Sequence, residues 1–134
     1  MEHAAWIVPL KLHHPFGISR GTASELPTVL LRLAPHLTPL VGLGEATPIR
    51  YLGHTAPALL AELTALCASL PEPDLQDISP PRLVAQALAA RPTPTPTTPP
   101  PVLAALDIAL WDLAARVADR PLRAELDRRD PPVL

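Results

Sequence analysis

The first third of the chain alternates apolar with polar or proline positions. In residues 6–13, Val8, Leu10 and Leu12 recur every second residue, which is the period of a half-buried strand. Pro9 interrupts this run and has no amide hydrogen to donate, so the segment is predicted to be an edge strand or to carry a bulge.

Two further strands are predicted after a loop that contains Gly17 and Gly21. One covers about 28–33, with Val29, Leu31 and Leu33 on one face, and the other covers about 40–46. Prolines between them form a turn, and short connections favour antiparallel neighbours. The pattern predicts a three-stranded antiparallel meander.

Helical spacing replaces the two-residue period after residue 54. Thr55 is a suitable N-cap for a helix from Ala56, and Ser79 can begin a shorter helix. The clearest helix runs from about Val102 to Ala118, and its apolar stripe consists of Leu103, Leu106, Leu110, Leu113 and Val117. A short helical turn is predicted over 121–126. Strands followed by about three helices predict an α+β domain, with helices packed on one face of the sheet.

The composition excludes several kinds of function. The chain has 134 residues, 48% hydrophobic and 18% charged, with a net charge of −2, which argues against nucleic acid as a partner. No apolar run is long enough to cross a membrane, so no membrane partner is expected. Cys67 is the single cysteine and forms no internal disulfide, and the expected location is the cytoplasm.

No set of residues in the chain forms a catalytic or metal site by its spacing. The five histidines include no i, i+4 pair, the thirteen carboxylates are scattered, and Cys67 falls on an apolar helical stripe that predicts a buried thiol. Lys11 is the single lysine. We therefore predict no catalytic residues and no metal ligands here.

Two loops carry residues suited to binding. Arg20 sits beside Gly21 in residues 15–25, where a guanidinium could bind a carboxylate with two hydrogen bonds. The residues alone favour an ordinary surface arginine. The second loop, residues 47–54, contains Arg50 and Tyr51. The proline-rich stretch 91–101 is interpreted as a semi-rigid surface loop, with a ligand for a proline-binding module as the alternative.

Three segments together resemble the N-terminal capping domain of the enolase superfamily, of the mandelate racemase/muconate lactonizing enzyme type, and most closely that of dipeptide (L-Ala-D/L-Glu) epimerases. They are PFGISRGT at 15–22, GLGEATP at 42–48 and ALDIALWDLA at 105–114. The resemblance implies a capping domain over 1–126, with 127–134 as the start of a truncated (β/α) barrel domain.

The resemblance also implies how such a cap works. The missing barrel domain would carry paired lysines and three acidic ligands for Mg²⁺, which supports proton transfer next to a carboxylate. In this chain Arg20 would bind a small anionic substrate such as an acidic dipeptide, and Phe16 and Ile18 would wall the pocket. Ile49, Arg50 and Tyr51 would close its other side. The chain alone would then be an inactive, substrate-recognising part of an isomerase.

Other functions remain compatible with the sequence. The chain could be a stand-alone binding or interaction module that uses its proline-rich stretch or an apolar face. It could also be the cap of a lactonising enzyme, a succinylbenzoate synthase or an N-acylamino-acid racemase, because a fold does not decide the reaction.

Overall fold

A three-stranded antiparallel sheet is followed by helices that cover one of its faces. The computed structural model describes residues 1–18, 21–91 and 97–129. The strands have the order β1-β2-β3, and the predicted α+β class and meander are confirmed. The elements are β1 (Glu2–Ile18), β2 (Gly21–Ala34), β3 (Gly42–Ala46), a 3₁₀ turn (Arg50–Leu52), α1 (Ala56–Cys67), α2 (Pro80–Ala89), α3 (Pro100–Val117) and α4 (Leu122–Arg129).

The hairpin of β1 and β2 is much longer than the sequence pattern predicts. Pairing continues from Glu2 opposite Ala34 to Ile18 opposite Gly21, so the expected loop around Gly17 and Gly21 is wrong. The register shifts between Lys11 and Phe16. Such an irregularity breaks the two-residue alternation, and the pattern therefore ends the strand too early.

The helix-facing side of β2 is the one predicted. Val29, Leu31 and Leu33 are completely buried. Ile7 lies opposite Val29 in β1 and so shares this face, whereas Leu10 lies opposite Leu26 on the other face and is 41% exposed. The apolar residues that mark β1 in the sequence are therefore mostly those that face away from the helices.

The buried face of β3 consists of small residues. Gly42, Gly44 and Ala46 are buried, while Leu43 is 46% exposed. The apolar side chain of Leu43 thus faces away from the helices. A large apolar side chain signals burial in sequence, but here α3 lies so close to the strand that only glycine fits.

The core lies between the sheet and α3. Its predicted stripe is confirmed at Leu106, Leu110 and Leu113, which are completely buried, while Leu103 and Val117 at the two ends are half-buried. The helix begins at Pro100, two residues before the predicted start, because prolines are tolerated in a first helical turn.

Several side chains fix the helices and their connections. Thr55 caps α1 by accepting a hydrogen bond from the amide of Ala58 at 3.3 Å, as predicted. Arg91, at the end of α2, donates to Glu62 in α1 at 2.8 Å and to the Thr98 hydroxyl at 2.9 Å. In the described ranges, no helix is both long and apolar enough to cross a membrane.

Candidate functional site

The two loops singled out in the sequence lie at the same end of the sheet. Because β2 and β3 are antiparallel with Val29 opposite Ala46, the loop that follows β3 points toward the tip of the β1–β2 hairpin. From Val29 the hairpin extends eight more residues to Gly21, or about 26 Å at about 3.3 Å per residue. The hairpin therefore reaches well beyond the end of β3.

The first of these loops is described only in part. Arg20 lies outside the described residues, and so do the side chains of Phe16 and Ile18. The backbone of Phe16 and Ile18 belongs to β1. Their proposed contacts with a substrate therefore stay predictions. Lys11 also lies in β1, where it is exposed and opposite Glu25.

The start of the second loop is held by a polar cluster on the sheet. The Thr28 hydroxyl, completely buried in β2, lies 2.9 Å from a carboxylate oxygen of Glu45 and 3.0 Å from the hydroxyl of Thr47. Thr47 also donates to the same carboxylate oxygen at 3.2 Å. These contacts fix the chain where it leaves β3.

The second loop itself folds into a single 3₁₀ turn. The carbonyl of Ile49 accepts from the amides of Leu52 at 3.0 Å and His54 at 3.3 Å, and Gly53 closes the turn with a φ of 77°. Ile49 is half-buried, Arg50 is exposed, and Tyr51 is 68% exposed. The structure brings these three predicted residues together on one turn.

A pocket of about 470 Å³ lies between this turn, the helix-facing side of the sheet and the beginning of α1. Its walls are mainly apolar and include Ile7, Pro27 and Pro48, while Arg50 and His54 supply the polar groups. Ile7 is 37% exposed for a residue on the helix-facing side, because the pocket opens over it. The surface of the pocket is thus almost wholly apolar, although Arg50, His54 and Thr55 are among its lining residues.

His54 is the functional candidate that the sequence did not reveal. Its Nδ1 atom is buried and has no hydrogen-bond partner among the described residues. An unsatisfied buried polar atom costs about 1–3 kcal/mol and is uncommon in native proteins. The residue is a single histidine before a helix cap, so no spacing in the sequence distinguishes it.

The other chemistry-bearing residues do not form a reactive site. In the described part of the chain, no three His, Cys, Asp or Glu side chains are placed to hold a metal ion. The Mg²⁺ implied by the resemblance therefore has no fitting ligand set among these residues. Cys67 is 1% exposed, so the predicted burial of its thiol is confirmed, and burial raises the pKa of the thiol to about 12.

A groove between α2 and α3 contains one carboxylate. It is lined by Val84, Leu88, Leu103 and Asp107 among others. Burial raises the pKa of Asp107 above its ordinary value, and a hydrogen bond from the Trp111 side chain partly opposes this shift. With one carboxylate on apolar walls, the groove offers no second group for catalysis.

Two segments that carry the family resemblance pack directly on each other. Gly42 and Gly44 in β3 lie against the backbone of Ala109 and Ala105 in α3. The amide of Leu43 donates to the Asp112 carboxylate at 2.9 Å. The motifs GLGEATP and ALDIALWDLA are therefore the two sides of one close contact between β3 and α3.

Comparison with known proteins assigns this fold to a family. Residues 2–126 match the model of the mandelate racemase/muconate lactonizing enzyme N-terminal domain. The chain belongs to this family.

Relatives of this N-terminal domain include dipeptide epimerases. The chain is 35% identical over 109 residues to the L-Ala-D/L-Glu epimerase of Escherichia coli K12, covering 78% of this chain and 28% of that protein. The dipeptide epimerase of Cytophaga hutchinsonii, solved with Mg and D-Ala-L-Val, superposes with a TM-score of 0.77 at 25% identity, covering 92% of this chain and 32% of that one.

A further dipeptide epimerase, from Enterococcus faecalis and solved with Mg and L-Leu-L-Tyr, shares the fold. Its TM-score is 0.75 at 22% identity, and the match covers 91% of this chain and 32% of that one. The mandelate racemase/muconate lactonizing enzyme N-terminal domain described here thus spans about a third of the length of the relatives that it matches.

Proposed function

We propose that this chain is the substrate-recognising cap of an isomerase that resembles the dipeptide epimerases. The observation that carries the proposal is its 35% identity to an L-Ala-D/L-Glu epimerase across 78% of the chain. The shared placement of both loops at one end of the sheet supports it, because loops on a rigid scaffold commonly supply specificity.

In this proposal the hairpin tip and the second loop enclose the substrate. Arg20 binds a carboxylate of an acidic dipeptide by a two-point, charge-assisted contact, with Phe16 and Ile18 beside it. Ile49, Arg50 and Tyr51 close the opposite side from the 3₁₀ turn. The long hairpin supports this arrangement, because its pairing continues from Val29, which lies opposite Ala46 at the end of β3, as far as Gly21.

Proton transfer is assigned to residues that this chain does not supply. The single lysine, Lys11, cannot form a pair of proton-transferring lysines. We propose that a barrel domain following about residue 126 provides them, together with the ligands for magnesium. The expected domain boundary falls inside α4 (Leu122–Arg129), which would then connect the two domains.

A domain exchange tests the proposal. Residues 2–126 replace the corresponding domain of the E. coli L-Ala-D/L-Glu epimerase, and kcat and KM are measured with L-Ala-L-Glu. We expect an active chimera in which Arg20→Ala raises KM at least about tenfold, the size of one charge-assisted contact. Arg82→Ala, an exposed arginine on α2, is the matched control.

Two results contradict the proposal. One is a folded chimera, verified by circular dichroism, that does not exchange the α-proton of the dipeptide. The other is an active chimera in which Arg20→Ala and Arg82→Ala have the same KM. Epimerisation by the 134-residue chain alone would contradict the assignment of chemistry to another domain.

A further inference from the structure

The face of the sheet that points away from the helices, here called the outward face, is largely apolar. The register defines it, because Trp6 pairs with Leu30 and Leu10 pairs with Leu26 on that side. Trp6 and Leu10 are each 41% exposed, and Leu43 in β3 is 46% exposed. The large apolar side chains of the outward face are those of Trp6, Val8, Leu10, Leu26, Leu30 and Leu43.

The size of the outward face is that of an interaction site. From Ala4 to Leu10 it runs about 20 Å along β1, at about 3.3 Å per residue. Three strands about 4.8 Å apart make it about 14 Å wide. An exposed apolar patch of about 300 Å² on a folded domain is often functional.

Two opposite charges lie on this face at diagonal positions. Arg32 in β2 pairs with Leu43, and Glu45 in β3 pairs with Leu30. These four residues form a rectangle, with Arg32 and Glu45 on one diagonal and the two leucines on the other. Both charged side chains are exposed, and Arg32 has no ion pair or hydrogen bond within the described ranges.

The carboxylate of Glu45 still has an oxygen available for a partner. Its Oε1 atom is contacted by the hydroxyls of Thr28 and Thr47, and these contacts leave Oε2 open toward solvent. A further carboxylate, that of Glu2, lies at the rim of the outward face beside His36. The centre of the face therefore presents one positive and one negative group.

Such a face is complementary to itself. In a two-fold interface every contact between different residues occurs twice. An axis that crosses the Arg32–Glu45 diagonal places Arg32 of each copy opposite Glu45 of the other, and packed sheets about 10 Å apart leave a gap that these two side chains can span together. Leu30 and Leu43 then lie near the axis and meet their own counterparts. We infer that the outward face binds a second copy of this chain in a two-fold symmetric dimer.

The proposed barrel domain is the alternative occupant of the outward face. It would continue from α4, and α4 contacts α3 on the helix side of the sheet. The loops that are proposed to meet a substrate lie at one end of the sheet, not on this face. A second copy is the occupant that the paired charges match, and the inference does not rest on the proposed function.

Sedimentation velocity of the 134-residue chain, from micromolar to submillimolar concentration, tests the inference. We expect a reversible monomer–dimer equilibrium that stops at two copies. The dimer Kd should lie in the micromolar range, because each face is smaller than the roughly 800 Å² that a partner buries in a standard interface.

Charge reversal tests the geometry of the dimer. Arg32→Glu creates two pairs of like charges and should raise the dimer Kd at least about a hundredfold, about tenfold for each pair, and Glu45→Arg should do the same. An equal mixture of the two variants should form a heterodimer, because both pairs are again opposite in sign. The variant with both reversals should form a homodimer. Arg82→Glu, the same change at an exposed arginine on α2, should leave Kd unchanged.

Leu43→Gln tests the apolar part of the face without a change of charge. Leu43 is exposed in the single chain, so the melting temperature of a dilute sample should not change. The dimer Kd should rise at least about tenfold, because the substitution occurs twice beside the axis. Since Glu45 also holds Thr28 and Thr47, a melting curve for each charge variant verifies that it is folded.

Four results overturn the inference. They are a chain that stays monomeric at every concentration, association that continues beyond two copies, a folded Arg32→Glu or Leu43→Gln variant with wild-type Kd, and a mixture of folded charge variants that forms no heterodimer. Sedimentation requires no catalytic activity, so its outcome is separable from that of the domain exchange.

Discussion

The backbone carbonyl of Ala109 in α3 occupies the space that a Cβ atom on Gly42 of β3 would need. The same relationship recurs one helical turn earlier, between Ala105 and Gly44. Two glycines on one face of a strand therefore allow the helix to lie directly on the sheet. This contact sets the position of β3, and hence of the loop that follows it.

Adding a methyl group at this contact should destabilise the domain. We expect Gly42→Ala and Gly44→Ala each to lower the free energy of unfolding by about 1–3 kcal/mol or more, because the obstructing atoms are backbone and cannot rotate away. Urea denaturation followed by circular dichroism measures the change.

Gly53 provides the matched control. Its φ is 77° and no atom lies within 4 Å of an added Cβ, so its constraint is conformational rather than steric. Gly53→Ala should cost about 1–2 kcal/mol, and Gly53→Asn less, since asparagine tolerates the left-handed region. If Gly42→Asn lowered the free energy of unfolding as little as Gly53→Asn does, the close contact between Gly42 and the Ala109 carbonyl would be refuted.

Asp112 should contribute more to the free energy of unfolding than its ion pair with Arg116 alone would provide. Its carboxylate accepts from the Leu43 amide at 2.9 Å and from Arg116 Nε at 3.0 Å. Asp112→Ala removes both contacts and should cost about 1–2 kcal/mol, whereas Arg116→Ala removes only an exposed i, i+4 pair worth about 0.5 kcal/mol. Equal losses in urea denaturation would assign no role to the Leu43 contact.

Asp107 should reduce stability at neutral pH. Burial raises its pKa in the folded state, so the folded chain binds more protons than the unfolded chain above about pH 4, and stability falls as pH rises through that window. Asp107→Asn should remove this cost and gain up to about 1 kcal/mol at neutral pH, because its amide oxygen still accepts from Trp111.

The gain from Asp107→Asn should vanish near pH 3, where the carboxyl is protonated in both states. Asp127→Asn, at an exposed position on α4, serves as the control and should show no such pH dependence. An equal gain at both pH values would mean that the effect does not arise from ionisation.

The thiol of Cys67 should resist modification in the folded domain. With a pKa of about 12, very little thiolate is present at pH 8, and the sulfur is shielded in the core. Reaction with a disulfide reagent should be slow and should accelerate in urea, in step with unfolding. Rapid stoichiometric labelling of the native chain would show that this helix opens readily.

The sequence predicts the core well where burial and side-chain size coincide. Val29, Leu31, Leu106 and Leu110 were identified by period alone, because large apolar residues fill the space between sheet and helix. Side-chain size does not mark the buried face of β3, because closeness to α3 requires Gly42 and Gly44 there. The periodicity of a strand shows which residues share a face and not which face a helix will approach.

The sequence predicts the candidate site only in part, because some of its residues are brought together only by the fold. Ile49, Arg50 and Tyr51 were found because they follow a strand in a short polar loop. The pocket that Arg50 shares with Ile7 and His54 depends on residues more than 40 positions apart, which only the folded sheet brings together. A lone histidine carries no periodic signal, so its unsatisfied nitrogen becomes visible only in three dimensions.

The bridge from Arg91 Nη1 to the Thr98 hydroxyl joins the two ends of the proline-rich segment at 2.9 Å, and Arg91 also bonds to Glu62. The side chain of Arg91 is only 9% exposed, so this closure belongs to the folded body of the domain. A change in the number of residues between Arg91 and Thr98, such as an inserted peptide tag, should therefore leave α2 in its place relative to α3.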